Sequence, residues 1–219
     1  MHKRGLFITF EGPDGAGKTT QIKHIAAFLS EKGIPFMTTR EPGGTAISDH
    51  IRALLLDPSF KTMQAKTEVL LYAASRAQHV EEKIKPALDE GYIVLCDRFV
   101  DASIAYQGYG LHVGDKAVRE INAFATGDCE PDRTYYIDLS PEEGKARMLA
   151  RVEGSEANLD RIEQKDMRYH QTVREGFQTL AKEESQRIKT IDGTESIDHV
   201  TNTIISDVIQ LWEQHQDKK

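Results

Sequence analysis

Gly12-Pro13-Asp14-Gly15-Ala16-Gly17-Lys18-Thr19 follows the run Leu6 to Glu11 (LFITFE) and precedes a stretch in which Ile22, Ile25, Ala26 and Leu29 recur at helical spacing. Strand, glycine-rich turn and helix are written in immediate succession. The eight residues fit the pattern G-x-x-x-x-G-K-[ST], in which glycines let backbone N–H groups close around phosphate oxygens and the helix N-terminus adds a positive dipole. Lys18 is then placed to meet the outer phosphates of a nucleoside triphosphate and Thr19 to offer a hydroxyl to Mg2+, with Thr20 beside them. A plain turn before a helix would have no use for a Lys-Thr pair.

Outward from this point, Phe36 to Thr39, Tyr92 to Cys96, Thr134 to Leu139 and Arg187 to Ile191 are further strand-like runs separated by helix-like sequence. The alternation predicts an α/β chain of the P-loop NTPase fold, a five-stranded, mostly parallel sheet flanked by helices. Gly33 stands where the first helix needs a left-handed terminator, and Ser196 caps a last helix with Ile197, Val200, Ile204, Val208 and Leu211 on one stripe. Thr67 to Lys85 differs, because Val69 to Ala74 are nearly all apolar. Such a helix is covered on more than one side, either centrally in the domain or by a second subunit, and Pro86 predicts a kink or a restart. No repeat or linker divides the sequence, so residues 1–219 read as one domain. Val152 to Asp160 lacks apolar periodicity and predicts a short mobile lid over about 147–163.

The balance of 28 Lys+Arg against 35 Asp+Glu gives a net charge of −7. That excludes nucleic-acid binding through bulk charge and requires any anion to be met by a local basic site. Apolar runs are too short to span a bilayer, and no cleavable leader is legible after Lys3 and Arg4, so a cytoplasmic protein is expected. Cys96 and Cys129 make no disulfide framework, and the eight histidines have no zinc-ligand spacing. There is also no Asn/Thr-Lys-x-Asp element with which a GTPase would read its base.

Four clusters lie at or beyond predicted elements, where doubly wound sheets gather ligands. Thr39-Arg40-Glu41-Pro42-Gly43-Gly44-Thr45 combines a guanidinium that can fork onto phosphate with glycines that admit close backbone approach. Tyr72 and Arg76, four residues apart on one helix face, could hold a planar base between a ring and a guanidinium. Asp97-Arg98 puts an acidic residue where P-loop proteins link a carboxylate to Mg2+, and Asp101 to Gly108 gathers Ser103, Tyr106 and Gln107. Arg147, Arg151 and Arg161 border the lid, where an arginine brought in on closure would stabilise a transferring phosphoryl group.

Taken together, Gly12 to Thr19, Thr39 to Thr45, Asp97-Arg98-Phe99, Ala105 to Gly108 and Leu159 to Glu163 resemble thymidylate kinases in order and spacing over essentially the whole chain. The resemblance implies ATP-dependent, Mg2+-assisted phosphorylation of dTMP to dTDP, with ATP and dTMP as partners and a homodimeric enzyme. It further implies Asp14 at the deoxyribose 3′-hydroxyl and Arg40 and Arg98 near the dTMP phosphate. Glu41-Pro42 matches a Glu-Pro step that is often cis in the family. Tyr72 matches the ring that stacks on thymine, Arg76 the group that hydrogen-bonds it, Ser103 and Gln107 the adjoining stretch, and Tyr106 the ring that crowds the ribose 2′ position. Some members carry an arginine in the P-loop next to the acidic residue. Gly15 stands there in this sequence, so the catalytic arginine is expected from the lid, at Arg151 or Arg161, as in bacterial-type members. The sequence departs from the family at Ala102, where serine is common, and in a longer, more acidic lid.

Overall fold

The computed structural model of the chain describes residues 3–127, 129–152 and 159–217, with all of their side chains except those of 151 and 152. Among the described residues five strands, β1 (Phe7–Glu11), β2 (Phe36–Arg40), β3 (Ile93–Asp97), β4 (Arg133–Asp138) and β5 (Ile188–Asp192), form one sheet in the order β2-β3-β1-β4-β5. Every pairing is parallel, a stricter arrangement than the mostly parallel sheet expected. Helices α1 (Lys18–Glu31), α2 (Ala46–Leu56), α3 (Ala65–His79), α4 (Lys85–Asp89), α5 (Val100–Ser103), α6 (Asp115–Thr126), α7 (Pro141–Val152) and α8 (Met167–Glu183) fill the connections, and α9 (Ile197–Asp217) follows β5. A parallel strand can be reached only by crossing over the sheet, which is why helical sequence separates each strand from the next.

Both faces of the sheet are covered, so β1 is buried at all five of its positions. Ile8 and Phe10 point to a core shared with Ile22, Ile25 and Leu29 of α1 and Val200, Ile204 and Val208 of α9. Phe7 points the other way, with its ring edge-on to Phe99 at 4.9 Å between centroids. The register pairs Asp97 with Phe10 on one side and with Arg40 on the other. The ends of β1, β2 and β3 therefore come out level, and Gly12, Arg40 and Arg98 emerge along a single edge.

The break expected near Pro86 is a π-helical turn, Val80–Ile84, after which α4 carries Pro86 in its first turn, where a missing N–H costs no helical hydrogen bond. A second π-helical turn, Ile104–Gly110, continues α5 and carries Tyr106 and Gln107. Such turns re-aim side chains that a regular helix would place elsewhere. Helix α3 packs against both α2 and α6. It buries Val69, Ala73, Ser75, Arg76 and His79 yet leaves Leu70 58% exposed. No helix among the described residues is long and apolar enough to cross a membrane.

Ile25, fully buried between α1 and the sheet, tests this core. Ile25→Ala should lower unfolding stability by about 2–5 kcal/mol, since the vacated volume cannot fully collapse. The check is a lower urea midpoint at an unchanged denaturant slope.

Candidate active site

Two hollows meet at the C-terminal edge of the sheet. One is a cleft of about 430 Å3 lined by Gly15, Gly17, Lys18, Thr19 and Thr20 of the phosphate turn together with Arg40, Arg52, Asp97, Arg98 and Arg147. The turn needs its glycines. Gly12 has φ 134°, and a side chain there would place its Cβ 2.4 Å from the Ile137 carbonyl oxygen. Gly15, at φ 83°, would put its Cβ 2.4 Å from the carbonyl oxygen of Gly144 in α7. Lys18 is buried and donates to the Gly12 and Pro13 carbonyls at 3.1 and 2.9 Å. Burial and the neighbouring Arg98 lower its pKa from the ordinary lysine value. Thr19 donates its hydroxyl to Asp97 Oδ2 at 2.9 Å.

The second hollow is lined by Tyr72, Arg76, Phe99, Ser103, Tyr106 and Gln107, with Asp14, Arg52, Arg98 and Asp160 in the wall that it shares with the cleft. Arg98 holds the two together. Its backbone is left-handed, with φ 70°, a conformation that costs a non-glycine residue energy and persists only where its surroundings enforce it. Its guanidinium donates to the Gly12 carbonyl at 2.9 Å and to Asp14 Oδ1 at 2.8 Å, and lies 5.0 Å from the centre of the Tyr106 ring. Burial alone would raise the Asp14 pKa, but Arg98 and Lys18 outweigh it and hold the carboxyl at about 2. Asp14 therefore presents a carboxylate, an acceptor for a hydroxyl group, at the junction.

Arg76 is 2% exposed and nearly saturated. It donates from Nε to Glu41 Oε2 at 2.7 Å, from Nη1 to Ser103 Oγ at 3.0 Å and to Asn122 Oδ1, and from Nη2 to the Phe99 carbonyl at 2.9 Å. The other Glu41 oxygen pairs with His79 Nδ1 at 2.9 Å, and His79 Nε2 meets Thr39 Oγ1 at 2.7 Å. A chain of hydrogen bonds thus runs from the end of β2 to the guanidinium in the cavity. The Glu41-Pro42 peptide is cis.

Tyr72, Arg76, Arg98, Ser103, Tyr106, Gln107 and Asp14 come together around the second hollow. Glu41 lines both hollows, with its two oxygens engaged by Arg76 and His79. Arg161 does not line the cleft: its Nε donates to the Leu55 carbonyl at 2.8 Å and its Nη2 lies 2.7 Å from Glu68 Oε2, which commits it to the wall formed by α2 and α3. Arg147 lines the cleft and donates to the Gly193 carbonyl at 3.0 Å. The Arg151 side chain and residues 153–158 of the expected lid lie outside the described residues. Sequence reasoning missed Arg52, which lines both hollows, although a charge on the inner stripe Ser48-Arg52-Leu55 of α2 was a signal. It also missed His79, Asn122 and Glu68.

Two hollows sharing a wall of guanidiniums and carboxylates, one at a phosphate turn and one lined by aromatic and polar side chains, can bring a donor and an acceptor phosphate into contact. The fold and site define a P-loop phosphotransferase. A family model described as Thymidylate kinase matches residues 10–204. The chain is 54% identical over 212 residues to the thymidylate kinase of Exiguobacterium sibiricum, covering 97% of this chain and 98% of that protein. It is 47% identical over 210 residues to that of Bacillus cereus, covering 96% and 98%. The crystal structure of thymidylate kinase from Ehrlichia chaffeensis superposes with a TM-score of 0.74 at 33% identity, over 94% of this chain and 98% of that one. The chain belongs to the thymidylate kinase family, and its activity is the ATP-dependent phosphorylation of dTMP to dTDP.

Behind Arg98, Glu11 at the end of β1 accepts from the Phe99 N–H at 2.7 Å and the Ala102 N–H at 3.3 Å, while its Oε2 is buried with no hydrogen-bond partner among the described residues. Burial, reinforced by the Asp101 carboxylate, raises its pKa from 4.5 to about 8. Glu11 is thus a neutral acid in the folded protein at pH values where the unfolded chain has released the proton. Between pH 4.5 and 8 the folded state binds the extra proton, so stability falls as pH rises through that window. Glu11→Gln, which mimics the neutral acid, should remove this slope, on the order of a few kcal/mol across the window. Urea unfolding of both proteins at pH 5, 6, 7 and 8 checks it, and parallel pH profiles would show that Glu11 titrates normally.

Proposed function

We propose that the chain transfers phosphate as one domain, with ATP on Gly12 to Thr20 and dTMP in the cavity beside it. Thymine lies against Tyr72 and within reach of Arg76, Ser103 and Gln107. The deoxyribose lies by Asp14 and Tyr106, and its phosphate faces Arg40, Arg52 and Arg98. The observation that carries this reading is the shared wall: Asp14, Arg52, Arg98 and Asp160 line both hollows, so two phosphates bound one in each are neighbours across it. Transfer then needs no covalent intermediate, because alignment and fixed positive charge supply the catalysis. Thr19 and Asp97 present two hard oxygens 2.9 Å apart beside Lys18, a donor set that suits Mg2+, which takes one or two protein ligands and fills the rest with water and phosphate. When bound there, Mg2+ offsets phosphate charge.

The lid over about 147–163 supplies the remaining charge. Arg147 already lines the cleft and Arg151 stands one helical turn further along α7, whereas Arg161 anchors the far end of the lid. The expected homodimer finds support in α2, α3 and α6, which expose Ile47, Leu54, Leu70 and Phe124, the last 94% exposed. A site in the cytoplasm suits the two cysteines, which are buried and unlinked.

Coupled measurement of ADP release should show turnover with dTMP and far less with dCMP or dGMP. Lys18→Ala and Arg98→Ala should each lower kcat/KM by about a hundredfold or more through loss of charge-assisted hydrogen bonds. Arg147→Ala or Arg151→Ala should lower kcat by up to about a thousandfold while Arg161→Ala costs much less. Equal rates on all three acceptors, or an Arg98→Ala enzyme at full activity, would sink this assignment of roles. For the assembly, light scattering should give twice the 24.6 kDa chain mass, and Leu70→Lys with Phe124→Lys should return it to one.

A further inference from the structure

Gln107 lines the base cavity with one end of its amide tied down. Nε2 donates to Glu68 Oε1 at 2.9 Å, and Oε1 is buried with no hydrogen-bond partner among the described residues. Glu68 is 1% exposed, and its other oxygen lies 2.7 Å from Arg161 Nη2. A carboxylate only accepts hydrogen bonds, so it requires the NH2 end of Gln107 and leaves the carbonyl end free. Turning the amide over would bring two acceptors face to face. Across the same cavity Arg76 has four of its five N–H groups bonded, which leaves one donor on Nη2.

We propose that Glu68 is a specificity-determining positioning residue: by fixing the Gln107 amide it makes the cavity one donor and one acceptor, a pattern that thymine matches and cytosine opposes. Thymine offers the O4 acceptor and the N3–H donor, which meet Arg76 and Gln107 Oε1 respectively. Cytosine offers an N4 amino donor and an N3 lone pair, which would face the Arg76 N–H and the Gln107 carbonyl. Only by turning its amide could Gln107 serve N3 of cytosine, and Glu68 forbids the turn. A site with fixed polar groups rejects the mismatched partner because those groups are then buried unpaired. The inference rests on thymine occupying this cavity.

The test compares kcat/KM for dTMP with that for 5-methyl-dCMP, which keeps the shape and methyl group and reverses the edge, and uses dUMP, which keeps the edge, as control. In Glu68→Gln, Arg161 claims the new amide oxygen, the new NH2 faces Gln107, and Gln107 turns its own NH2 to the base. The dTMP to 5-methyl-dCMP ratio should fall at least tenfold while the dTMP to dUMP ratio changes less than twofold. In a Gln107→Met background the same substitution should leave the first ratio unchanged. An unchanged ratio in a folded Glu68→Gln enzyme, equal losses on all three substrates, or a further shift in the Gln107→Met background would each overturn the proposal. If Gln107→Met alone leaves the ratio unaltered, the placement of the base fails instead. Because Glu68→Gln leaves a buried guanidinium facing a neutral group, the double variant Glu68→Gln with Arg161→Met is the second route: the amide at position 68 can then present either end to Gln107, so Gln107 is no longer held in one orientation and the ratio should again fall.

Discussion

The guanidinium of Arg98 is the joint on which the site depends. It ties the phosphate turn, through Gly12 and Asp14, to the ring of Tyr106, and so joins the β1 and β3 ends of the sheet to the wall of the second hollow. The left-handed backbone at this residue is what turns the side chain back over the edge of the sheet. On either side the environment agrees with it: Asp14 is held ionised by its charge, and Glu11, one layer beneath, is kept neutral by burial. Two carboxyls three residues apart in sequence thus occupy opposite protonation states, and the difference is set by which one faces the arginine directly.

The same economy of charge recurs deeper in the protein. Glu41 with Arg76 and His79, Glu68 with Arg161, and Asp101 with Arg187 are ion pairs placed mostly beyond the reach of water. Such pairs contribute little net stability, because desolvation offsets their attraction, but each member is expensive to leave alone. Their effect is geometric. A guanidinium with four of its donors committed has one orientation left, and that is how a helix side chain acquires the positional accuracy that recognition of a flat ring demands.

The fold was legible because the phosphate turn, five β-branched runs and the stripes of α1 and α9 all obey local rules. A mostly parallel sheet followed from the helical sequence between the strands, and the structure makes every pairing parallel. The site was legible only where a residue stands in a motif. Asp14, Lys18, Arg98 and Gln107 belong to short contiguous patterns, and Tyr72 and Arg76 to a pair spaced by one helical turn, whereas Glu68 and His79, on the same stripe of α3, are masked by the apolar residues between them. Arg52 and Asn122 gain meaning only through partners far off in sequence, and nothing in the local pattern of α6 says that Asn122 will meet Arg76. Arg161 read as a phosphate clamp because it borders the lid. Its actual partners, the Leu55 carbonyl and Glu68, lie about a hundred residues away, and spacing cannot reveal them.

The close approach of Gly15 to Gly144 bears on the division of labour across the nucleotide. The two backbones touch where the phosphate turn meets the first turn of α7, and neither position has room for a side chain: a Cβ on Gly144 would lie 2.6 Å from the Asp14 carbonyl oxygen. An arginine at position 15 could be accommodated only if α7 stood further away. As packed, the root of α7 is pinned to the phosphate turn through Gly144. The carbonyl oxygens of Gly144 and Asp14 therefore close this side of the turn to any side chain, and a positive charge that meets the phosphates has to reach them from another direction.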